Sequence, residues 1–240
     1  LRKHGIHTMG ELARASLTQE EMLFKEFGID AEILIDHAWG IEPCRMEDIK
    51  SYRPADKSIC EGQVLSCPYP YEKARLIVQE MTESLAFRLS DLKMITDSLT
   101  LTVGYDRANC TTGSYQGEIH IDHYGRSVPK AAHGTIHLDP PTNLGSRLID
   151  AAVRLYAQIT SPQLLVRRIS IAANRVIEDH GIYQLNLFTD MKKLEREKKL
   201  QETMLDIKKR FGKNSVLKGT SFLDGATMRE RNGQIGGHKA

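Results

Sequence analysis

The chain has 240 residues, of which 40% are hydrophobic and 27% are charged, and its formal net charge is +2. This composition is globular and long enough for one large or two modest domains, and it excludes a global polycation, so an anionic partner would have to meet local basic clusters. The apolar runs are far shorter than the roughly 20 residues needed to span a bilayer, which argues against a membrane protein.

Residues 1–50 are predicted to form short helices that pack in sequence. Two segments have capping-box spacing, in which a threonine precedes a glutamate by three residues, and glycines mark the expected helix ends. The pairs are Thr8 with Glu11 and Thr18 with Glu21, and the terminating glycines are Gly28 and Gly40. The chain starts at Leu1 inside an apparent helix, so it is interpreted as a fragment of a longer protein. Residues 51–58 close a charged, Pro-containing stretch without periodicity and are predicted to be an interdomain linker.

Residues 59–178 show alternating strand and helix patterns in the order β-α-β-β-α-β. The pattern predicts strands at 59–66, 96–105, 135–138 and 164–176, with helices starting near residues 70 and 144. The predicted fold class is therefore α+β, a small helical region followed by a four-stranded sheet with two helices on one face.

The face of this sheet opposite the helices is expected to carry small polar residues and one arginine. The second strand contributes Ser98, Thr100 and Thr102, and the last strand contributes Arg168, Ser170, Ala172 and Asn174. Such a face suits a flat, hydrated, anionic surface. Antiparallel sheets also commonly leave a polar face to water, so both interpretations stay open at this point.

Two regions lie outside this simple pattern. Residues 106–133 contain glycines and histidines, with a possible small hairpin around Gly117–Asp122. Residues 190–240 are predicted to form a helix and a flexible tail. Nine Lys/Arg and five Asp/Glu lie between Asp190 and Lys213, and a solvated helix face is favoured over a nucleic-acid site there.

Motifs for catalysis are absent from the sequence: it has no Gly-x-Ser-x-Gly, no phosphate-binding loop and no His-Glu-x-x-His. The loop histidines His120, His123, His133 and His137 do not have the spacing of a metal site on a helix. We therefore predict no catalytic residue, no metal site and no cofactor in this chain. The four cysteines form no Cys-x-x-Cys pair and no signal peptide precedes them, which favours a reduced cytoplasmic protein with cysteines acting as small apolar residues.

Two motifs indicate binding instead. Leu1–Ala13 resembles the second half of a helix–hairpin–helix element, in which backbone N–H groups near Gly5 and Thr8 would meet phosphates. An ordinary helix–turn–helix is the alternative for this stretch. The segment 183–189 contains the pentapeptide Gln-Leu-Asn-Leu-Phe, by which bacterial replication and repair proteins dock onto the sliding clamp. Leu187 and Phe188 would enter an apolar cleft, and Gln184 would fix the orientation. Leu185 completes this predicted clamp-binding set, although a last strand that buries its own leucines is the alternative.

Together, GIHTMGELA, the WGIEP segment, the domain closing on VRRISI and the QLNLF motif resemble the C-terminal half of a bacterial Y-family translesion DNA polymerase of the UmuC/DinB (ImpB/MucB/SamB) kind. The resemblance covers about residues 1–190. It implies that residues 1–50 are a partial thumb that grips the duplex minor groove, and that 59–178 are the little finger, whose sheet lies along the major groove.

The resemblance also implies roles for individual residues. Arg167 and Arg168 would approach the template backbone, and Arg53 and Lys57 of the linker would lie near DNA. Ser170 and Asn174 join the predicted DNA-binding set because they lie on the polar face of the sheet. The acidic residues that hold Mg²⁺ in the parent polymerase have no match here, so this fragment should bind primer–template DNA and the clamp without polymerising.

Two other functions are compatible with the sequence. One is a non-catalytic repair adaptor tethered to the clamp. The other is an unrelated ferredoxin-like metabolic or regulatory domain, for which the Gln184, Leu187 and Phe188 motif would be irrelevant to clamp binding.

Overall fold

In a computed structural model, the chain is described at residues 1–52, 57–111, 115–122, 125–181, 190–235 and 238–239. It divides into two compact units, Leu1–Ala55 and Asp56–Ala240.

The first unit is helical. Its helices are α1 (Met9–Ser16), α2 (Glu20–Phe27), α3 (Asp30–Ala38) and α4 (Met46–Ser51), preceded by a short 3-10 turn at Arg2–His4. Helices α1, α2 and α3 surround a small core, whose buried members are Ile6, Leu12, Leu23 and Ala31. A core of this size is typical of short helices that depend on one another for burial.

Capping in this unit follows the sequence prediction at one helix and departs from it at another. Thr8 and Glu11 form the predicted capping box at the start of α1. The second predicted box is wrong, because α2 begins after Gln19, whose side chain makes no capping bond. The aperiodic stretch before the linker also contains the unpredicted α4, whose N-terminus is capped by Asp48 accepting from the Arg45 N–H at 2.9 Å.

The second unit contains the predicted β-α-β-β-α-β order, with additions. The main elements are β1 (Ile59–Tyr69), α5 (Tyr71–Asp91), β2 (Met94–Tyr105), β5 (Ala132–Thr142), α7 (Gly145–Ile159) and β6 (Val166–Asn174). Between β2 and β5 lie α6 (Ala108–Thr111) and the hairpin of β3 (Ile119–Ile121) and β4 (Ser127–Pro129), so the predicted hairpin is confirmed. The chain continues through β7 (Ile177–Glu178), α8 (Met191–Phe211), a 3-10 turn at Gly219–Phe222, α9 (Met228–Arg231), β8 (Gln234–Ile235) and β9 (His238–Lys239).

The sheet is antiparallel in the order β1-β6-β2-β5, and the short β7 also pairs with β2. Helices α5 and α7 pack together against one face, where alternate strand residues point into a single apolar core. The largest fully buried side chains of that core include Leu65, Ile77, Met81, Leu99, Leu101, Leu148, Tyr156 and Ile169. The predicted fold class is confirmed in its coarse form, α+β with a mainly antiparallel sheet.

The predicted helix after residue 190 is present as α8. Contacts with the rest of the second unit hold both α8 and the segment after it, which differs from the flexible tail predicted there. On α8, Gln201 donates to Ser90 Oγ at 2.6 Å and to the Asn143 carbonyl at 2.8 Å, and it accepts from the Gly145 N–H at 2.8 Å. Further along, the buried Glu80 carboxylate accepts from the Thr227 and Met228 N–H groups at 2.8 and 3.0 Å. Both anchors lie among the helices, away from the opposite face of the sheet.

The four cysteines, predicted to act as small apolar residues, are free thiols: Cys44, Cys60 and Cys67 are exposed and Cys110 is partly buried. Among the described residues, no helix is both long and apolar enough to cross a membrane.

Candidate nucleic-acid interface

The side of the sheet that α5 and α7 do not cover is a face of small polar residues, here called the open face. Strand pairing places its residues in rows that cross the sheet, since directly paired residues point to the same side. The rows are Gly62, Ser170, Thr102 and His133; Cys60, Ala172, Thr100 and Thr135; and Asn174, Ser98 and His137. The polar residues predicted for the second and last strands therefore lie on one face of the sheet, although Ser98 is buried there.

Hydrogen bonds between neighbouring strands fix the side chains of the open face. Thr100 Oγ1 lies 2.8 Å from Thr135 Oγ1, and Asn174 Nδ2 donates to Thr100 Oγ1 at 2.8 Å. Thr102 Oγ1 lies 2.9 Å from His133 Nδ1. Short side chains held in this way give a flat surface, with hydroxyl and amide groups that suit contacts with phosphate and sugar.

Arg168 stands at one end of the open face. It pairs with Val64 on β1 and with Gly104 on β2. A Cβ at Gly104 would lie 3.2 Å from the Arg168 Cβ, so glycine leaves space for the arginine where the strands approach closely. The Arg168 side chain is exposed, and within the described part of the chain no hydrogen bond or ion pair holds it.

Arg167, predicted to act with Arg168, is placed differently. The register of β6 shifts between the Gly104 and Tyr105 pairs, which is the signature of a β-bulge at Arg167. Its guanidinium donates to the Ser66 carbonyl at 3.0 Å and lies 3.9 Å from the Asp106 carboxylate. Arg167 therefore contacts Ser66 and Asp106 of its own chain, although its side chain is still 38% exposed.

A second cationic group, which the sequence interpretation missed, lies at the other end of β6. Arg175 Nε donates to Asp97 Oδ1 at 2.9 Å, and a terminal nitrogen of Arg175 lies 3.1 Å from His137 Nδ1. The predicted DNA contact Lys57 is exposed nearby, and its carbonyl accepts from the Val176 N–H at 3.0 Å. No local sequence pattern marks this cluster, because its members come from β2, β5, the turn after β6 and the loop before β1.

In the first unit, the predicted phosphate site contains a carboxylate. Gly5 adopts φ +72 after the first turn, and Thr8 caps α1, as the motif requires. Glu11 Oε2, however, already accepts from the His7 and Thr8 N–H groups at 2.7 and 3.0 Å. The His7 and Thr8 backbone bonds hold the pKa of Glu11 below its usual value, so the helix start carries a negative charge at neutral pH.

Several predicted binding residues lie outside the described residues. These are Arg53 of the linker and the clamp-binding set Gln184, Leu185, Leu187 and Phe188. Within the described ranges, no cluster of three or more His, Cys, Asp or Glu side chains has the arrangement of a metal site.

The family model described as the impB/mucB/samB family C-terminal domain matches residues 56–187. That range is more than half of the chain and begins at the boundary of the second unit. The chain belongs to this family. The β-α-β-β-α-β sheet with its open face is the part that the family model covers.

Two curated proteins are similar to this chain over all or nearly all of its length. One, from Bacillus subtilis (strain 168), carries the name UV-damage repair protein UvrX and is 26% identical over 242 residues, covering 100% of this chain and 51% of its own. The other is DNA polymerase IV of Pelotomaculum thermopropionicum, 26% identical over 244 residues, covering 98% of this chain and 51% of its own. The chain thus spans about half the length of these relatives.

Proposed function

We propose that this chain is the DNA-binding and clamp-binding portion of an error-prone DNA polymerase that acts in translesion synthesis, DNA repair and the SOS response in the cytoplasm. The observation that supports this most directly is the open face of the second unit. It is flat, polar and free of the helix layer, and it carries exposed Arg168 at one end.

The chemistry of the open face suits contact with a nucleic-acid backbone. Hydroxyl and amide donors and an arginine bind phosphate and sugar oxygens without reading the base sequence. A polymerase that copies damaged templates requires that kind of contact, because binding that depended on intact bases would fail at a damaged one. The overall charge is too small to hold DNA by itself, so the local arrangement has to supply the attraction.

The test is equilibrium binding of the 240-residue chain to a primer–template duplex across a salt series. We expect log K to fall linearly with log salt, with a slope of about −0.9 for each phosphate neutralised. Arg168→Gln should weaken binding about tenfold at low salt, as expected for a hydrogen bond to a charged group. It should also reduce the magnitude of the slope by about 0.9.

The matched control is Arg154→Gln. Arg154 is exposed on α7, on the side of the sheet opposite the open face, so this variant removes the same charge from the wrong place. Equal effects of the two variants, or binding that salt does not weaken, would contradict a DNA-binding role for the open face.

Nucleotidyl transfer is assigned to the parent polymerase rather than to these 240 residues. In this proposal, Mg²⁺ and its carboxylate ligands belong to a catalytic region outside this sequence. Primer extension with the isolated chain, duplex DNA, Mg²⁺ and nucleotides should give no product, while the same preparation binds the duplex. Primer extension by this chain would contradict the assignment of nucleotidyl transfer to a region outside it.

A further inference from the structure

We infer that Arg175 is a second DNA-backbone contact, placed at the opposite end of the open face from Arg168 by Asp97 and His137. This inference rests on the proposed function and deepens it. It adds one DNA-contacting residue and the length of duplex that the open face would cover. Neither follows from the family match or from the sequence motifs.

The first support is the way Arg175 is held. Its backbone has φ +47, in the left-handed region that an arginine rarely adopts. This conformation follows directly after Asn174, the last residue of β6. It turns the chain out of the strand and lets the side chain meet both Asp97 and His137, which lie on neighbouring strands. The unfavoured backbone and the two partners together fix the position of one guanidinium.

The second support is the donor capacity that remains. A guanidinium has five N–H donors, and the Asp97 and His137 contacts use two of them. The Arg175 side chain is 55% exposed, so the remaining donors can reach a ligand in solvent. His137 shares a row with Asn174 and Ser98, which places this guanidinium at the edge of the open face. An arginine held on one side and open on the other is suited to bind a phosphate.

The third support is spacing. Arg168 and Arg175 are seven positions apart along β6 and its exit, which corresponds to roughly 20 Å of extended chain. At about 3.4 Å per base pair, that distance spans about six base pairs of duplex. The two arginines would each donate to a phosphate at one end of such a segment, Arg175 while it stays ion-paired with Asp97. The short polar side chains between them would contact the sugar–phosphate backbone.

The experiment compares Arg175→Asn with Arg175→Lys in the 240-residue chain, using the primer–template duplex and salt series described above. Asparagine tolerates the left-handed conformation, so Arg175→Asn removes the guanidinium while preserving the backbone, which thermal unfolding can confirm. We expect Arg175→Asn to weaken binding about five- to tenfold at low salt and to reduce the salt slope by about 0.9. Arg175→Lys should keep the slope, because it keeps the charge, and lose only part of the affinity.

The outcomes separate this inference from the proposed function. If Arg168→Gln weakens binding and Arg175→Asn changes neither affinity nor slope, the Arg175 contact is wrong and the open face still binds DNA. If both variants bind like the unchanged chain, both proposals fail. A loss of affinity with Arg175→Asn that is no larger than the loss with the Arg154→Gln control would also count against the contact, because it would reflect net charge alone.

Discussion

Two glutamates, Glu80 on α5 and Glu61 on β1, lie near the C-terminal segment that follows α8, and their hydrogen-bond partners differ. Glu80, 2% exposed, accepts two backbone N–H groups from Thr227 and Met228, which compensate for the loss of water. Among the described residues, each carboxylate leaves one oxygen without a hydrogen-bond partner, Oε1 of Glu80 and Oε2 of Glu61. The difference is that Glu61 accepts only one hydrogen bond there, from Ser84 Oγ at 2.9 Å. Burial therefore raises the pKa of Glu61, although Ser84 and the guanidinium of Arg231 oppose the shift.

This difference predicts the effect of Glu61→Gln on stability. Because the pKa of Glu61 is higher in the folded state than in the unfolded state, folding favours the protonated form, and stability falls as pH rises from the unfolded pKa through the folded pKa. A neutral amide avoids that cost, so Glu61→Gln should raise the melting temperature at pH 7. The gain should disappear below about pH 4, where the carboxyl is protonated in both states.

Thermal unfolding of both proteins between pH 3.5 and 8 measures this difference. Glu230→Gln, an exposed change in the docked segment, is the control and should give no pH-dependent difference. A lower melting temperature of Glu61→Gln at pH 7 would mean that the ion pair with Arg231, at 3.8 Å, outweighs burial.

At the scale of elements, the contact between β5 and α7 depends on a glycine. A Cβ added at Gly134 would lie 2.8 Å from Ile159 Cγ2 and 3.0 Å from Leu155 Cδ1. These distances are shorter than normal van der Waals contact, so the helix can approach the strand this closely only without a side chain there. At Gly62 on the open face, by contrast, the nearest atom to an added Cβ is Ser170 Oγ at 4.0 Å.

Gly134→Ala and Gly62→Ala are therefore a matched pair within one sheet. Gly134→Ala should destabilise the second unit by about 1–2 kcal/mol, since the overpacked contact forces Ile159 and Leu155 to move. Gly62→Ala should be neutral or stabilise by up to about 1 kcal/mol, because alanine lowers the entropy of the unfolded chain without a clash. Chemical denaturation measures both values. Equal destabilisation would show that α7 adapts to the added methyl group, or that strand entropy dominates.

The elements also show what sequence patterns can and cannot predict. The alternation from Leu99 to Tyr105 predicted β2 and its two faces correctly, because a strand buried on one side leaves a period of two. The position of Arg167 could not be predicted, because a bulge depends on the register with partner strands. The docking of the C-terminal segment was missed for a related reason: Glu80 is 147 residues from Thr227, and no local pattern records such a contact.

At the scale of the second unit as a whole, the layers separate two surfaces. The open face lies on one side of the sheet, and α5, α7 and the docked α8 lie on the other. DNA bound to the open face therefore does not require α8 or the C-terminal segment to leave its place. If residues 184–188 bind the clamp, as proposed, DNA binding and clamp binding should be separable by mutation.

The clamp proposal predicts a specific pattern of losses. The triple variant Gln184→Ala, Leu187→Ala, Phe188→Ala should weaken clamp binding at least tenfold, because each buried apolar side chain contributes about 1.5–3 kcal/mol. The same variant should bind the primer–template duplex with unchanged affinity and salt slope.

Phe222→Ala with Leu223→Ala is the control: these side chains are 64% and 57% exposed, so it removes apolar surface of similar kind outside the motif. Surface plasmon resonance with immobilised clamp measures the first quantity and fluorescence anisotropy the second. Clamp binding that survives the triple change, or that is lost equally in the control, would remove the motif from the proposed function and leave the DNA-binding role of the open face to be judged by Arg168→Gln alone.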